Sequence, residues 1–419
     1  MNAPTVPMPN ITIRHATLVQ HDRIERALLH IAGGRITADA PADAQVIDLR
    51  DHLIFPGLIN AHDHLHLNNI PRLPQASFFP NSYAWISAFQ SYFADPRVAA
   101  AVAIAKPLRY AQGGLKNLLA GVTTVAHHDP WHAALDEPSF PVGLLRDFGW
   151  SHSLGLGIEA LSIENCEPGF SQFSMLNAQL SRYGPPVLES FAATPTSQPW
   201  IIHLAEGTDA VAAAELAWLD RLGCLADNTV LVHGAGLTTA DIERVIARDA
   251  AVIWCPSSNL SMLGRTLDPR QLFDAGRLAL GSDSRLSGAR DLLAELRIAA
   301  AHSDLTPREL LRLVTTAARD ILRLPNVGGL DAGQYADLLI IRDDGGDPHQ
   351  QLVDINRHAI RAVVRNGVPL VSEPDFANWL DLAGIDAVCI LLDGQTKLLA
   401  RALTQADVIA LEPGLDITE

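Results

Sequence analysis

Residues 57–67 read GLINAHDHLHL and place His62, His64 and His66 at alternate positions just after Pro56. Side chains two apart on an extended strand point the same way. His62 and His64 therefore share a face, and His66 joins them if the strand continues that far. Two imidazoles on one face can grip a single metal ion. Taken alone, the pattern fits a solvated or hydrogen-bonded cluster as well, so the rest of the chain has to decide.

Other apolar runs end in similar residues. WIIHLAEG closes a run with His203 and puts Glu206 three positions on, VLVHGAGL closes the next with His233, and LALGSDS closes a later one with Asp283. The interval from His203 to His233 fits one strand–helix–strand unit. The interval to Asp283 fits two, with AAVIWCPSSN as the intervening strand, and the one from His64 to His203 has room for four. Polar side chains then end the first, fifth, sixth and eighth strands of an alternating array. In a parallel barrel, sites assemble at the carboxyl ends of the strands.

The wider pattern agrees. Between about residues 84 and 320, short apolar runs (122–126, 154–158, 201–204, 230–232, 252–254 and 278–280) alternate with Ala/Leu/Arg-rich helical stretches. Such alternation predicts an α/β fold, and its length favours a (β/α)8 TIM-like barrel, here over residues 56–325. The first 55 residues read as strands in ITIRHATLV, ALLHIAGGRIT and AQVIDLRDHLIF, and strand patterning returns after residue 325 in ADLLIIR and IRAVVRNGVPLV. The two ends, 1–55 and 326–419, are expected to pair into a small composite β-sandwich, with a C-terminal hairpin turned at Asp393-Gly394. One region resists. Between Gly121 and His203 two further strands are needed; one candidate lies near 151–158, ENCEPGFSQFSMLNAQLSRYGPP reads as an irregular insert, and the fourth strand is unplaced.

A chain of 419 residues suits a barrel of roughly 250 residues plus a smaller domain. A 48% hydrophobic composition marks a folded globular protein. The formal charge of −16 comes with no Lys/Arg block, which disfavours nucleic acid and leaves small neutral or cationic substrates open. Cys166, Cys224, Cys255 and Cys389 are scattered and read as reduced thiols. With no secretory pattern near the N-terminus and no apolar stretch of roughly 18 residues, a cytoplasmic protein without a membrane partner is expected.

At this point the chain resembles the amidohydrolase superfamily, and more narrowly its single-metal branch of cytosine deaminase and triazine/S-adenosylhomocysteine deaminase-like enzymes. The matching pieces are FPGLINAHDH, IIHLAEG, VLVHGAGL, WCPSSNLSML, LALGSDS and GGLDAGQYADLLII, which span most of the chain to about residue 370. The resemblance implies one divalent ion, zinc with iron as the alternative, held by His62, His64, His203 and Asp283. It further implies that Asp283 takes a proton from water, that Glu206 carries it to the leaving group, and that His233 polarises the attacked group or holds the water. The two-metal branch adds a carboxylated lysine from the fourth strand. This chain has only Lys106, Lys116 and Lys397, none of them where that strand must lie.

The resemblance thus predicts metal-dependent hydrolysis of a C–N bond in a small-molecule substrate, foremost deamination of a small nitrogen heterocycle or amidine-like group. Hydrolysis of an amide, urea or carbon–halide bond by the same site is the alternative, and a non-catalytic scaffold is the reading from another class. Family habit points to a homodimer or larger homo-oligomer. Arg72, Arg265 and His128 are candidates for substrate contact, beside the competing readings of surface ion pairs and, for His127 and His128, core packing. His66 lies beyond the family pattern and reads as a loop hydrogen-bonding residue. The aromatic run Phe78, Phe79, Tyr83, Trp85 and Phe89 reads as helix packing or as an apolar lid.

Overall fold

The computed structural model describes residues 8–155 and 185–418. Eight short strands carry the site: β1 Leu58–Asp63, β2 Val122–His127, β3 Gly143–Leu144, β4 Gly149–Ser151, β5 Trp200–Leu204, β6 Thr229–His233, β7 Ala251–Trp254 and β8 Leu278–Leu280. They form two ladders, β3-β2-β1 and β4 through β8 in chain order, and every pairing within them is parallel. The ends of β1 and β8 meet where the Asp283 amide donates to the His62 carbonyl at 3.0 Å. A Cβ on Gly281 would lie 2.7 Å from His62 Cβ, so only glycine lets the chain after β8 pass this close.

Apart from the short β3 and β4, the strands are buried on both faces, as parallel strands are when helices cover them. Ile59, Ala61, Ala126, Ile201, Val230, Val232, Ile253 and Ala279 pack into one cluster. Residues of opposite parity, among them Ile202, Leu204, Leu231, Val252, Trp254 and Leu280, join a second cluster with the helical residues Leu115, Leu118, Leu216, Leu219, Leu296 and Leu310. Position 203 continues the parity of Ile201, and 283 that of Ala279. The two polar groups thus leave their strands on the side of the first cluster.

Residues from both ends of the chain share a nine-stranded sheet, where His52–Pro56 pairs antiparallel with Leu338–Arg342 and parallel with Thr17–Val19. ITIRHATLV is not one strand. It breaks at His15, whose φ is +67°, and its halves enter different sheets, Ile11–Arg14 joining a separate four-stranded one. Leu29–Ala32 and Arg35–Thr37 make a hairpin across Gly33-Gly34. The hairpin at Asp393-Gly394 is present, with Leu392 opposite Gln395 and both turn residues at positive φ.

The troublesome region resolves differently from the sequence reading. The third strand has two residues and the fourth, β4, ends at Ser151, with residues 152–155 outside it. Runs so short leave no alternation to detect. Residues 156–158, most of the expected irregular insert, and Cys166 lie outside the described residues. Cys224, Cys255 and Cys389 are free thiols. No helix among the described residues is long and apolar enough to cross a membrane.

Candidate metal centre

β1 ends at Asp63, and its pairing with β2 shifts register between Asn60 and Asp63. His64 is the first residue of the turn beyond it. His62 and His64 nevertheless converge. The Nε2 atoms of His62 and His203 are 3.3 Å apart, as are those of His64 and His203. All three residues are buried. Asp283 brings Oδ1 to 3.6 Å from His64 Nε2 and 4.0 Å from His62 Nε2. Ala205, His233 and Asp283 all have φ between +52° and +79°, sharp reversals that turn the chain at the carboxyl ends of their strands.

The far side of each ring decides what the Nε2 atoms can do. His64 Nδ1 lies 2.6 Å from Asp129 Oδ2. His203 Nδ1 lies 2.8 Å from the His152 carbonyl. Both acceptors call for a proton on Nδ1, which leaves the lone pair on Nε2. Two such lone pairs facing each other at 3.3 Å repel unless a positive charge lies between them. Ligands at roughly 2.0–2.1 Å from a common tetrahedral centre stand about 3.3–3.4 Å apart, so the spacing suits a divalent ion.

The electrostatics point the same way. Burial, with the neighbouring imidazoles adding to it, pushes His62 and His203 well below the usual histidine range. Burial also opposes charge on His64, but Asp129 outweighs it through its charge and hydrogen bond, and the ring is held at about 9. Asp129 is correspondingly held far below the carboxylate range, its own burial outweighed by His64. The donor set therefore attracts one positive charge, which a proton or a cation can supply.

Glu206 and His233 sit beside this cluster, with Glu206 Oε1 3.3 Å from His233 Nε2. Burial raises the Glu206 carboxyl, with His233 opposing the rise. His233 Nδ1 is 2.9 Å from Asn259 Oδ1, and the Asn259 amide group donates to Thr266 Oγ1 at 3.2 Å, which fixes its orientation. The hydroxyls of Ser258 and Ser287 donate to Asp283 Oδ2 at 2.7 and 2.6 Å. Burial would raise the Asp283 carboxyl, yet His64, His233 and these hydroxyls hold it below its usual value.

The remaining candidates fare unevenly. His128 is buried; its ring stacks on His203 with centroids 4.5 Å apart, and its Nε2 is 3.1 Å from the Ser151 carbonyl, so it backs the cluster. Arg72 is exposed and donates to the Gly288 carbonyl, which ties two loops together rather than offering a free clamp. Arg265 is exposed on the turn after the helix Pro256–Leu263. His66 leaves the line of His62 and His64 because the strand has ended; it sits with His127 and Asp129. Of the aromatic run, Phe89 is buried and stacked on Trp85 at 5.3 Å, the Tyr83 hydroxyl donates to Glu215, and Phe78 is exposed. Asp129, His152, Asn259, Ser258 and Ser287 were missed by sequence reasoning. Only Asp129 carried a signal, directly after His127-His128.

Comparison with known proteins adds to this geometry. The Amidohydrolase family model matches residues 183–370. The chain is 26% identical to a 5-methylthioadenosine/S-adenosylhomocysteine deaminase of Pyrococcus furiosus over 364 residues, 78% of this chain and 83% of that protein. A Bacillus thuringiensis protein of the same name is 23% identical over 80% of this chain and 82% of its own length. Among solved structures, an adenosine deaminase from Xanthomonas campestris with bound zinc superposes with a TM-score of 0.63 at 21% identity, covering 90% of this chain and 98% of that one. An atrazine chlorohydrolase from Arthrobacter aurescens complexed with zinc gives 0.68 at 22%, covering 89% and 100%. These two likenesses speak to the fold, a TIM-like α/β barrel.

Proposed function

We propose that the chain, which resembles the amidohydrolase superfamily in sequence and fold, is a member of it and a zinc-dependent hydrolase that deaminates a small nitrogen heterocycle. The observation that carries this reading is the meeting of three imidazole Nε2 atoms, two of them, on His64 and His203, fixed from behind by Asp129 and the His152 carbonyl, beside two carboxylates whose pKa values are shifted in opposite directions. His62, His64, His203 and Asp283 would hold the ion. Bound there, a divalent ion supplies a hydroxide at neutral pH by lowering the pKa of a water from about 15.7 toward about 7.

The protein's own groups divide the proton work. Asp283 is held toward its ionised form; its Oδ2 accepts from two serine hydroxyls, while Oδ1, which accepts from the Ser284 amide at 2.8 Å, is the oxygen that faces the cluster. Glu206 is held toward its protonated form and faces His233 Nε2. If His233 donates from Nδ1 to Asn259, its Nε2 accepts the Glu206 proton, and the pair shares one proton between substrate-side atoms. Hydrolysis of an aminated ring carbon forms a carbon–oxygen bond, breaks the carbon–nitrogen bond and releases ammonia. The departing nitrogen needs that shared proton.

The names of the relatives favour adenine nucleosides as the first substrates to test, 5′-methylthioadenosine and S-adenosylhomocysteine ahead of free bases. The reading includes a barrel over 56–325 flanked by a composite β domain from 1–55 and 326–419, supported by the pairing of His52–Pro56 with Leu338–Arg342. It also includes a homo-oligomer, which light scattering would check. The deciding assay measures ammonia and chloride release by the zinc-loaded protein over a panel of adenine nucleosides, cytosine, aminotriazines and chlorotriazines. Ammonia release is the expected result. Chloride release alone would move the reading to carbon–halide hydrolysis, and turnover of no member by protein with stoichiometric zinc would overturn it.

A further inference from the structure

We propose that His66, His127 and Asp129 form a second transition-metal site beside the three-histidine cluster. One potential ligand atom from each lies within 4.8 Å of the other two. They come from three neighbouring places: the turn Leu65–Leu67 after β1, the last residue of β2, and the loop two residues beyond it.

Two observations go beyond proximity. His127 is fully buried, and its Nε2 has no hydrogen-bond partner among the described residues. His66 Nδ1 likewise has none among the described residues and stands 3.6 Å from Asp129 Oδ2. Burying a ring nitrogen that bonds to nothing is unfavourable, and here two such nitrogens accompany one carboxylate. A cation would satisfy all three groups.

The surroundings hold these groups in place. His127 Nδ1 lies 3.3 Å from the Asp63 carbonyl and from the Leu65 amide. The Leu65 amide points its N–H at Nδ1 and the Asp63 carbonyl points its oxygen there, so both tautomers find a partner at Nδ1, and a cation at Nε2 would select the one with the proton on Nδ1. The Tyr110 ring walls the pair, its centroid 5.2 Å from that of His66 and 5.3 Å from that of His127. Arg109 donates to the His66 carbonyl at 3.3 Å, so it grips the turn through the backbone. Asp129 Oδ2 already accepts from His64 Nδ1, which places this carboxylate between the two groups of histidines.

Two imidazoles and one carboxylate suit zinc or cobalt(II). Magnesium and calcium prefer sites built from oxygen ligands. Three protein ligands leave a coordination position for water, as in other three-ligand zinc sites. The site does not depend on the catalytic reading, since no residue of the ligand set His62, His64, His203 and Asp283 belongs to it.

The test is to strip the full-length protein with chelator, dialyse it against zinc chloride and count bound metal by mass spectrometry. The wild type is expected to hold two zinc ions per chain. His66→Gln and His127→Gln should each hold one, with unchanged circular dichroism, and His203→Ala combined with His66→Gln should hold none. Should the three-histidine cluster fail to bind, the wild type would hold one and His66→Gln none, which separates the two readings. Cobalt(II) titration should give a second visible absorption change that His66→Gln lacks. The proposal is overturned if the wild type saturates at a single ion that His66→Gln retains, if both single variants still bind two, or if equimolar magnesium displaces the second ion.

Discussion

Asp129 Oδ2 accepts a hydrogen bond from His64 Nδ1 at 2.6 Å, which fixes the ring so that its Nε2 faces His203. A carboxylate behind a ligand histidine sets the tautomer and raises ligand basicity, and its loss typically costs 10–100-fold in metal affinity. Asp129→Asn is therefore expected to weaken the tightest zinc equivalent by about 10–100-fold in chelator competition. Affinity equal to wild type would show that the His152 carbonyl and the fold alone orient the cluster.

Glu206 should separate chemistry from binding. Its carboxyl faces His233 Nε2 at 3.3 Å and belongs to none of the residues whose Nε2 atoms converge. Glu206→Gln is expected to keep its zinc while losing about 10²–10⁴-fold in kcat, the usual range for a positioned acid or base. Full turnover with full zinc content would remove Glu206 from the proton-transfer role.

The placing of His62, His203, His233 and Asp283 was legible because strand ends in a parallel array recur at intervals set by whole strand–helix units, which spacing reveals. His66 was harder. Period-two reasoning carries it along with His62 and His64, but the strand stops at Asp63 and the register shift redirects the chain beyond it. Strands β3 and β4, of two and three residues, are too short to express any period. The groups that orient the rings escaped for another reason. One is a backbone carbonyl, at His152, and another is a loop carboxylate, at Asp129, and neither leaves a periodic trace.

Lys116 is the hidden support of β1. It is fully buried on the helix Lys106–Leu119 and donates to Asp63 Oδ2 at 3.0 Å and Asn68 Oδ1 at 2.8 Å. Asn117 adds a bond to the same carboxylate oxygen at 2.7 Å. Asp63 lies between His62 and His64, so this network anchors the backbone that aims both rings. Lys116→Met leaves a buried carboxylate without its counter-charge, and denaturant unfolding should read a loss of about 3–5 kcal/mol. Pairing it with Asp63→Asn should recover part of that loss. A double variant no more stable than the single one would contradict the ion-pair account.

Glu295 gives the protein a pH dependence away from the metal cluster. It is fully buried on the helix Leu292–Ala301, where the Ser257 amide donates to Oε1 at 2.8 Å and the Ser257 hydroxyl donates to Oε2. Burial pushes its carboxyl up to about 8, although the two Ser257 bonds oppose the rise. In the unfolded chain a glutamate titrates near about 4.3. Below that pH both states carry the proton and the contribution of Glu295 is fully present. Between about 4.3 and about 8 the native state keeps a proton that the unfolded state has lost, so stability falls as pH rises, and above that window the loss is complete. Thermal unfolding of the wild type should therefore include a downward slope from about pH 5 to about pH 8. Glu295→Gln, which cannot ionise, should flatten that component. Identical slopes in the two proteins would mean that Glu295 is already ionised in the folded state.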